Sequence, residues 1–564
     1  MPAKVKTAQA VPAAGEYRTV MVGGAYLVKA LLKKLKVAEV IDQALTHQPE
    51  IAASYGQLAE VVITNRLTLT PEPLVHLADW AAEHGIDRVF GLNAAWLDDD
   101  RLGAMLDGVA NHQVEIWSGV LHHAVKAFGL SLAELHDDTT SVYFEGAYED
   151  EDGHPLGGGE RVPRLVEGYN KDGQRHKVQI VLSLIVTPDR VPVWYHPWDG
   201  NQTDEAVYAV DLAELRRTLL APTNAVLIGD RKLCNQETLL KFCQQQQRFL
   251  GAHPWTATAQ TVWAETYAQL VAGHLVWQSV DYVSQNHARK SEAERPAYRV
   301  CEVPHRLVDP QTGEVHTLRW IFSHSSDKAA GDMRRREKAL AAGEQVLRHM
   351  QARVGKYTYT TRAVIETRLT QELRQAKALD YFSYTLTGTD GQKDWQLRWR
   401  RCAKAIDAEA MFDGVALLCT NVPVADWSAS RVMIKYKEQV VAEQAIDFIK
   451  SPVQIRPMWL HQPRRIAGLT LLVMLATLLE RHIRRWMAKQ GTRFQGWPGL
   501  RPGRRRTKMP TAEALLRAFA DYALVLVRRR GREEIHVPAL RPLQQQIWDA
   551  LQLPPISELT LAEG

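Results

Sequence analysis

At 564 residues, with 46% hydrophobic and 24% charged residues, the chain has globular composition and is long enough for about two to four domains with real cores. A net charge of +5 excludes a strongly basic or acidic protein, and five cysteines without a C-x-x-C pair argue against a disulfide scaffold or a zinc site. The charge is uneven: residues 451–564 hold 19 Lys and Arg against 8 Asp and Glu, residues 1–130 hold 11 against 14, so the basic end is a candidate for binding a polyanion, the alternative being a basic segment that binds nothing in particular.

Residues 1–15 are small and polar and are expected to be a disordered tail. From 16 to 130, stretches such as YLVKALLKKLKVAEVIDQAL repeat apolar residues at helical spacing, which predicts an all-helical N-terminal domain. The texture changes over 131–240. There LHDDTTSVYFEG, VQIVLSLIVT, VPVWYH and AVLIGD read as strands, and EAVYAVDLAELRRTL reads as a helical crossover before the last of them. A mixed α/β sheet follows from that order.

Residues 241–425 read as a β-rich insertion with helices. RWIFSH is a strand, YFSYTLTG and DWQLRW flank a T-D-G turn as a hairpin, and DMRRREKALAAGEQVLRHMQARV is a charged helix. Over 426–480 two helices are expected. The first, YKEQVVAEQAIDFIK, places Tyr436, Gln439, Glu443 and Lys450 within about 60° on one face. The second holds the apolar run Ile466 to Leu479, too short for a bilayer and bracketed by arginines, which reads as a core helix. Residues 481–564 read as a basic helical C-terminal region with one or two closing helices around TAEALLRAFADYALVLV. No charged-then-apolar leader opens the chain, so a soluble protein of the cytosol is expected.

Three carboxylates could carry chemistry. Asp138 lies in the first strand, Asp230 ends an apolar strand after Gly229, and Glu443 lies on the polar helix face. A strand-end aspartate is more often a helix cap or turn residue, and Asp137 competes with Asp138. Gathered on one sheet edge, three carboxylates would make a hard oxygen site for Mg²⁺ or Mn²⁺, and two ions about 4 Å apart can activate a nucleophile and stabilise a leaving oxygen at a phosphodiester. His136 reads as structural more readily than as a proton-transfer residue. Trp255, Trp263 and Trp277 read as core more readily than as platforms for a flipped base, and Asn201 and Asp204 are candidates for an outer shell. Arg504, Arg505 and Arg506 with Lys508 form a loop that could touch phosphate or simply be solvated.

These segments in this order resemble a bacterial insertion-sequence transposase of the DDE type, in the branch with a Y-R-E-K signature. Tyr436, Gln439, Glu443 and Lys450 keep the signature's spacing, with Gln standing where the branch has Arg. DTTSVYFEG, GYNKDG, GNQTD, AVLIGDRKL, FDGVALLCTN and IRPMWLH are similar to its other segments, so the likeness runs from about Tyr26 to Phe519. The resemblance implies an RNase H-like mixed-sheet core interrupted by the insertion, with Asp138, Asp230 and Glu443 as catalytic ligands of two Mg²⁺ ions. Asp447, one turn beyond Glu443, fits the spacing less well. Tyr436, Gln439 and Lys450 would meet DNA phosphate, and Lys435 or Lys437 could supply the charge that Gln439 lacks.

The expected activity is nicking at inverted-repeat ends and joining of the freed 3′-hydroxyls to target DNA. The expected setting is the bacterial cytosol at the nucleoid, away from membranes, as a dimer on double-stranded DNA. The alternatives are a nuclease or resolvase that cuts without joining, and a DNA-binding derivative that has lost its chemistry.

Overall fold

The computed structural model describes residues 5–7, 16–45, 53–68, 71–144, 162–168, 176–218, 224–284, 287–288, 290–450, 460, 462–493, 496–500, 506–529 and 532–560. The chain divides into two compact units, one made of residues 1–228 and 438–564, the other of residues 229–437.

The first unit opens with two strands, β1 (Val5–Thr7) and β2 (Glu16–Met21). Among the described residues seven α-helices follow: α1 (Ala25–Leu35), α2 (Val37–Ala44), α3 (Tyr55–Arg66), α4 (Leu77–Glu83), α5 (Ile86–Phe90), α6 (Asp99–Asn111) and α7 (Gln113–Phe128). Leu27, Leu31, Leu58, Val62, Leu106 and Leu121 recur at helical spacing and are fully buried. Ser54 begins α3 with a reciprocal capping box to Gln57. The sheet segment then runs β3 (Glu134–Tyr143), β4 (Val166–Glu167), β5 (Val178–Val186), β6 (Pro192–Asp199), helix α8 (Asp204–Thr218) and β7 (Val226–Gly229). Strand β5 lies between β3 and β6, antiparallel to both, while β7 adds to β3 in parallel through the α8 crossover. All but the first residue of β5 are buried, as a strand covered on both faces requires.

The second unit contains α9 (Gln236–Gln244), β8 (Arg248–Ala252), α10 (Ala257–Val271), β9 (Gln278–Val280), β10 (Tyr298–Val308), β11 (Val315–Ser325), α11 (Ser326–Arg353), α12 (Arg362–Gln375), β12 (Phe382–Thr387), β13 (Gln396–Arg401), α13 (Ala403–Ala410), β14 (Val415–Thr420) and α14 (Ala429–Lys437). Its main sheet is antiparallel in the order β8-β14-β11-β10-β9. The β12–β13 hairpin closes over α11 and α12 with Leu347, Ile365, Leu369, Phe382 and Trp395 in the shared core. Trp263 lies at the centre of an aromatic cluster, 4.8 Å from Phe322, and its indole N–H donates to the Met411 carbonyl at 3.0 Å. Trp255 and Trp277 pack into the same cluster. The three tryptophans therefore pack in one aromatic cluster.

The chain returns to the first unit with α15 (Val440–Lys450), α16 (Pro463–Arg493), α17 (Ala512–Arg517), β15 (Ala523–Arg529), β16 (Arg532–Val537), α18 (Pro542–Ala550) and α19 (Ile556–Thr560). Helix α16 is long and apolar enough to cross a membrane by length and composition, and its apolar stretch is wholly buried within this unit. It packs on α3, α6, α7 and β6. Gly468 lets its backbone approach α6: a Cβ there would stand 2.3 Å from the Leu106 carbonyl oxygen.

Two expectations change. Val5–Thr7, expected in a disordered tail, pairs in parallel with β16, and β2 pairs with β15, so the chain's two ends share a four-stranded sheet in the order β1-β16-β15-β2. ALVLVRR, expected in a closing helix, is strand β15, because its alternating Leu and Val residues find partners on both sides.

Candidate functional site

Strand β3 carries Asp137 and Asp138 between β5 and β7. Successive residues of a strand face opposite sides. Asp137 is wholly buried, while Asp138 is half-buried and its Oδ1 accepts from the Thr139 N–H at 2.8 Å. Helix α15 packs on β3 and β5 through Val441, Ala442, Ala445 and Ile446, all buried. Glu443 stands exposed in its first turn, where the positive end of the helix dipole favours a carboxylate. Asp138 and Glu443 thus stand on two elements of one unit that pack together.

The helix expected from Tyr436 to Lys450 is broken. Helix α14 ends at Lys437 and α15 begins at Val440, so Tyr436 and Glu443 belong to separate helices. Gln439 lies in the break and is buried. Its Nε2 donates to the Asp137 carbonyl at 2.8 Å, and its Oε1 lies 2.9 Å from Nδ1 of the fully buried His136. An amide engaged at both ends inside the fold is not displayed to a phosphate, which corrects the expectation for Gln439 and gives His136 a definite structural partner. The physical cause is that a buried primary amide must satisfy its donors and its acceptor.

Asp230 follows β7 directly and belongs to the second unit. Its Oδ1 accepts from the Lys232 N–H at 2.8 Å, capping the short 3₁₀ turn Arg231–Cys234, after which Asn235 caps α9 through the Thr238 N–H at 2.9 Å. Tyr436 is half-buried near the end of α14. The side chains of Lys450 and Asp447 lie outside the described residues, as do Arg504 and Arg505, while Arg506 and Lys508 are exposed. Asn201 is exposed beside the start of α8, and the Asp204 side chain is outside the description.

Carboxylates such as Asp138 and Glu443 suit a hard divalent cation such as Mg²⁺ better than zinc or copper. Among the described residues no three His, Cys, Asp or Glu side chains stand ready-made around one metal position.

A second polar cluster lies in the same unit. Asp211, at the middle of α8, is wholly buried with His196 Nδ1 at 3.8 Å, and His196 stacks on Trp198 at 4.2 Å. Burial pushes the Asp211 carboxyl up to about 7, which the Ser183 hydroxyl and the Trp194 and Trp198 indoles offset only in part. Burial pushes His196 down to about 4. The sequence held a signal for this cluster: Asp211 falls on the buried side of its helix with Val207, Tyr208 and Leu215.

Residues 138–479, more than half of the chain, match the family described as Transposase DDE domain. Residues 18–119 match a family described as Domain of unknown function (DUF4277). No curated protein matches the chain.

Proposed function

The chain belongs to the Transposase DDE domain family, and on that premise we propose that it nicks DNA at the inverted-repeat ends of an insertion sequence and joins the freed 3′-hydroxyls to target DNA. It is a transposase, so its substrate is DNA, and its setting is the cytosol where that DNA lies. Asp138, Asp230 and Glu443 are the residues that would hold two divalent ions, Mg²⁺ by the hardness of their oxygens. The ions would supply charge neutralisation at the scissile phosphate and lower the cost of forming an oxygen nucleophile.

The observation that carries the reading is the packing of α15, with Glu443, onto β3, with Asp138, inside one unit. Asp230 is included on the likeness of AVLIGDRKL to the second-aspartate segment of such transposases. The residues around these acids bind and orient. The half-buried Asp138 is steadied by the Thr139 N–H, and Asp230 by the Lys232 N–H. Tyr436, Lys450 and the exposed Arg506, with Arg504 and Arg505, would hold the DNA backbone, the phenol by hydrogen bond and the cations by charge. Two such chains acting on the two ends of one element would work as a dimer on DNA.

The test is Glu443→Gln in the full chain, offered a supercoiled plasmid carrying the reading frame and its flanks with Mg²⁺. Strand cleavage should be abolished while gel-shift affinity for the flanks is kept. Cleavage at the wild-type rate would refute the proposal. Pre-cut ends should give strand-transfer products, and their absence would mark a nuclease that does not join.

A further inference from the structure

Gln439 stands just before α15, four residues ahead of Glu443, and hydrogen-bonds to Asp137 and His136, the two residues before Asp138. Its Nε2 faces the Asp137 carbonyl at 2.8 Å, and a carbonyl can only accept, so the amide orientation is fixed by that contact. Oε1 then faces His136 Nδ1 at 2.9 Å, which requires the hydrogen of that ring to sit on Nδ1. Both partners come from the two residues immediately before Asp138. The chain therefore grips the entrance of α15 at the strand positions adjoining a candidate metal ligand, with a buried side chain.

We propose that Gln439 is a positioning residue, whose amide clamps α15 to β3 through His136 and Asp137 and so sets where Glu443 stands relative to Asp138. The inference rests on the reading of Asp138 and Glu443 as a metal-holding pair. Arginine at this position would bring donors alone and could not accept from the Nδ1–H of His136, so glutamine and this histidine tautomer form a matched pair.

Two measurements on the full chain test the clamp. Nitrogen-15 NMR of histidine-labelled protein should find His136 with its hydrogen on Nδ1. The near-isosteric Gln439→Met should weaken Mn²⁺ binding, read by calorimetry with the metal alone, by about tenfold, the lower end of what loss of an outer partner costs. Its affinity for a linear duplex without metal should be unchanged. A wild-type His136 carrying its hydrogen on Nε2 overturns the clamp and needs no variant to fold. Unchanged Mn²⁺ affinity in Gln439→Met also overturns it, as does weakened duplex affinity with Mn²⁺ binding intact, which would move the amide onto phosphate. If wild-type protein has the expected tautomer yet binds no Mn²⁺, the positioning role falls, and the fault lies in the reading of the carboxylates rather than in the hydrogen bonds.

Discussion

The two units are built in opposite ways from one chain. The second is a single stretch, residues 229–437, whose hairpins β10–β11 and β12–β13 join neighbours in sequence. The first is assembled from residues 1–228 and 438–564, and its defining contacts are long. Val5 pairs with Ile535, Gln439 reaches back to His136, and the Lys29 ammonium donates to the Leu559 carbonyl at 3.0 Å. Local pairing costs little loop-closure entropy, whereas contacts across hundreds of residues form only when both distant pieces are present. The difference teaches that the unit bearing Asp138 and Glu443 is completed by its C-terminal piece.

Truncation would break that comparison most severely. A chain ending at Lys437 lacks α15, α16 and the β15–β16 pair, and so loses the wall against which α3, α6, α7 and β6 pack. Each fully buried Leu or Ile of α16 contributes roughly 1.5–3 kcal/mol, and a ladder of them is removed. Hydrogen exchange read by mass spectrometry should then show α1–α7 unprotected, while β10 and β11 stay protected. If α6 and α7 keep their protection without α16, the first unit does not depend on its distant piece.

A smaller effect tests the buried polar cluster around Asp211 in the first unit. The unfolded Asp211 carboxyl ionises near its ordinary 3.8, but in the fold it holds its proton up to about 7. As pH rises between those values the unfolded state gives up a proton that the folded state keeps, so this group's contribution to stability is lost, and the loss levels off above about 7. His196 runs the other way: folded near 4 against an ordinary 6.5, it lowers stability as pH falls through that window. Asp211→Asn removes the first slope and leaves the second. Its urea stability relative to wild type should be near equal at pH about 4 and greater by a few kcal/mol at pH about 8, at roughly 1.4 kcal/mol per pKa unit. A difference that does not vary with pH would show that Asp211 is not held protonated.

Legibility in the sequence follows the same division. The runs VQIVLSLIV and VLIG are rich in Val and Ile, and RWIFSH and the T-D-G hairpin carry their own pattern, so strand type could be read locally. ALVLVRR could not, since its run of Leu and Val fits a helix as well as a strand. What decides it is pairing with β2, about 500 residues earlier. The acids Asp138, Asp230 and Glu443 were visible as strand and helix carboxylates. The fate of Gln439 was not, because a glutamine on a 3.6-residue repeat suits solvent equally well. Its burial is set by a ring nitrogen and a carbonyl far upstream. Asp211 was legible in principle, as a charge on the apolar side of α8, and only its burial gives it consequence.

Two glycines sharpen the contrast at the smallest scale. Gly468 lies where α16 crosses α6, and an added Cβ would meet backbone atoms of Leu106 at 2.3, 3.0 and 3.1 Å, which no rotamer change relieves. Gly468→Ala must push the two helices apart, at a cost of roughly 1–3 kcal/mol typical of overpacking. Gly331, inside α11 of the second unit, has nothing within 4 Å of the same position. There Gly331→Ala should stabilise by roughly 0.5–1 kcal/mol, because alanine loses less backbone freedom on entering a helix. Chemical denaturation of the two variants should give opposite signs. A stabilising Gly468→Ala would mean that α6 and α16 are held less closely than their backbones indicate, and the claim that distant pieces of the first unit interlock would lose its tightest contact.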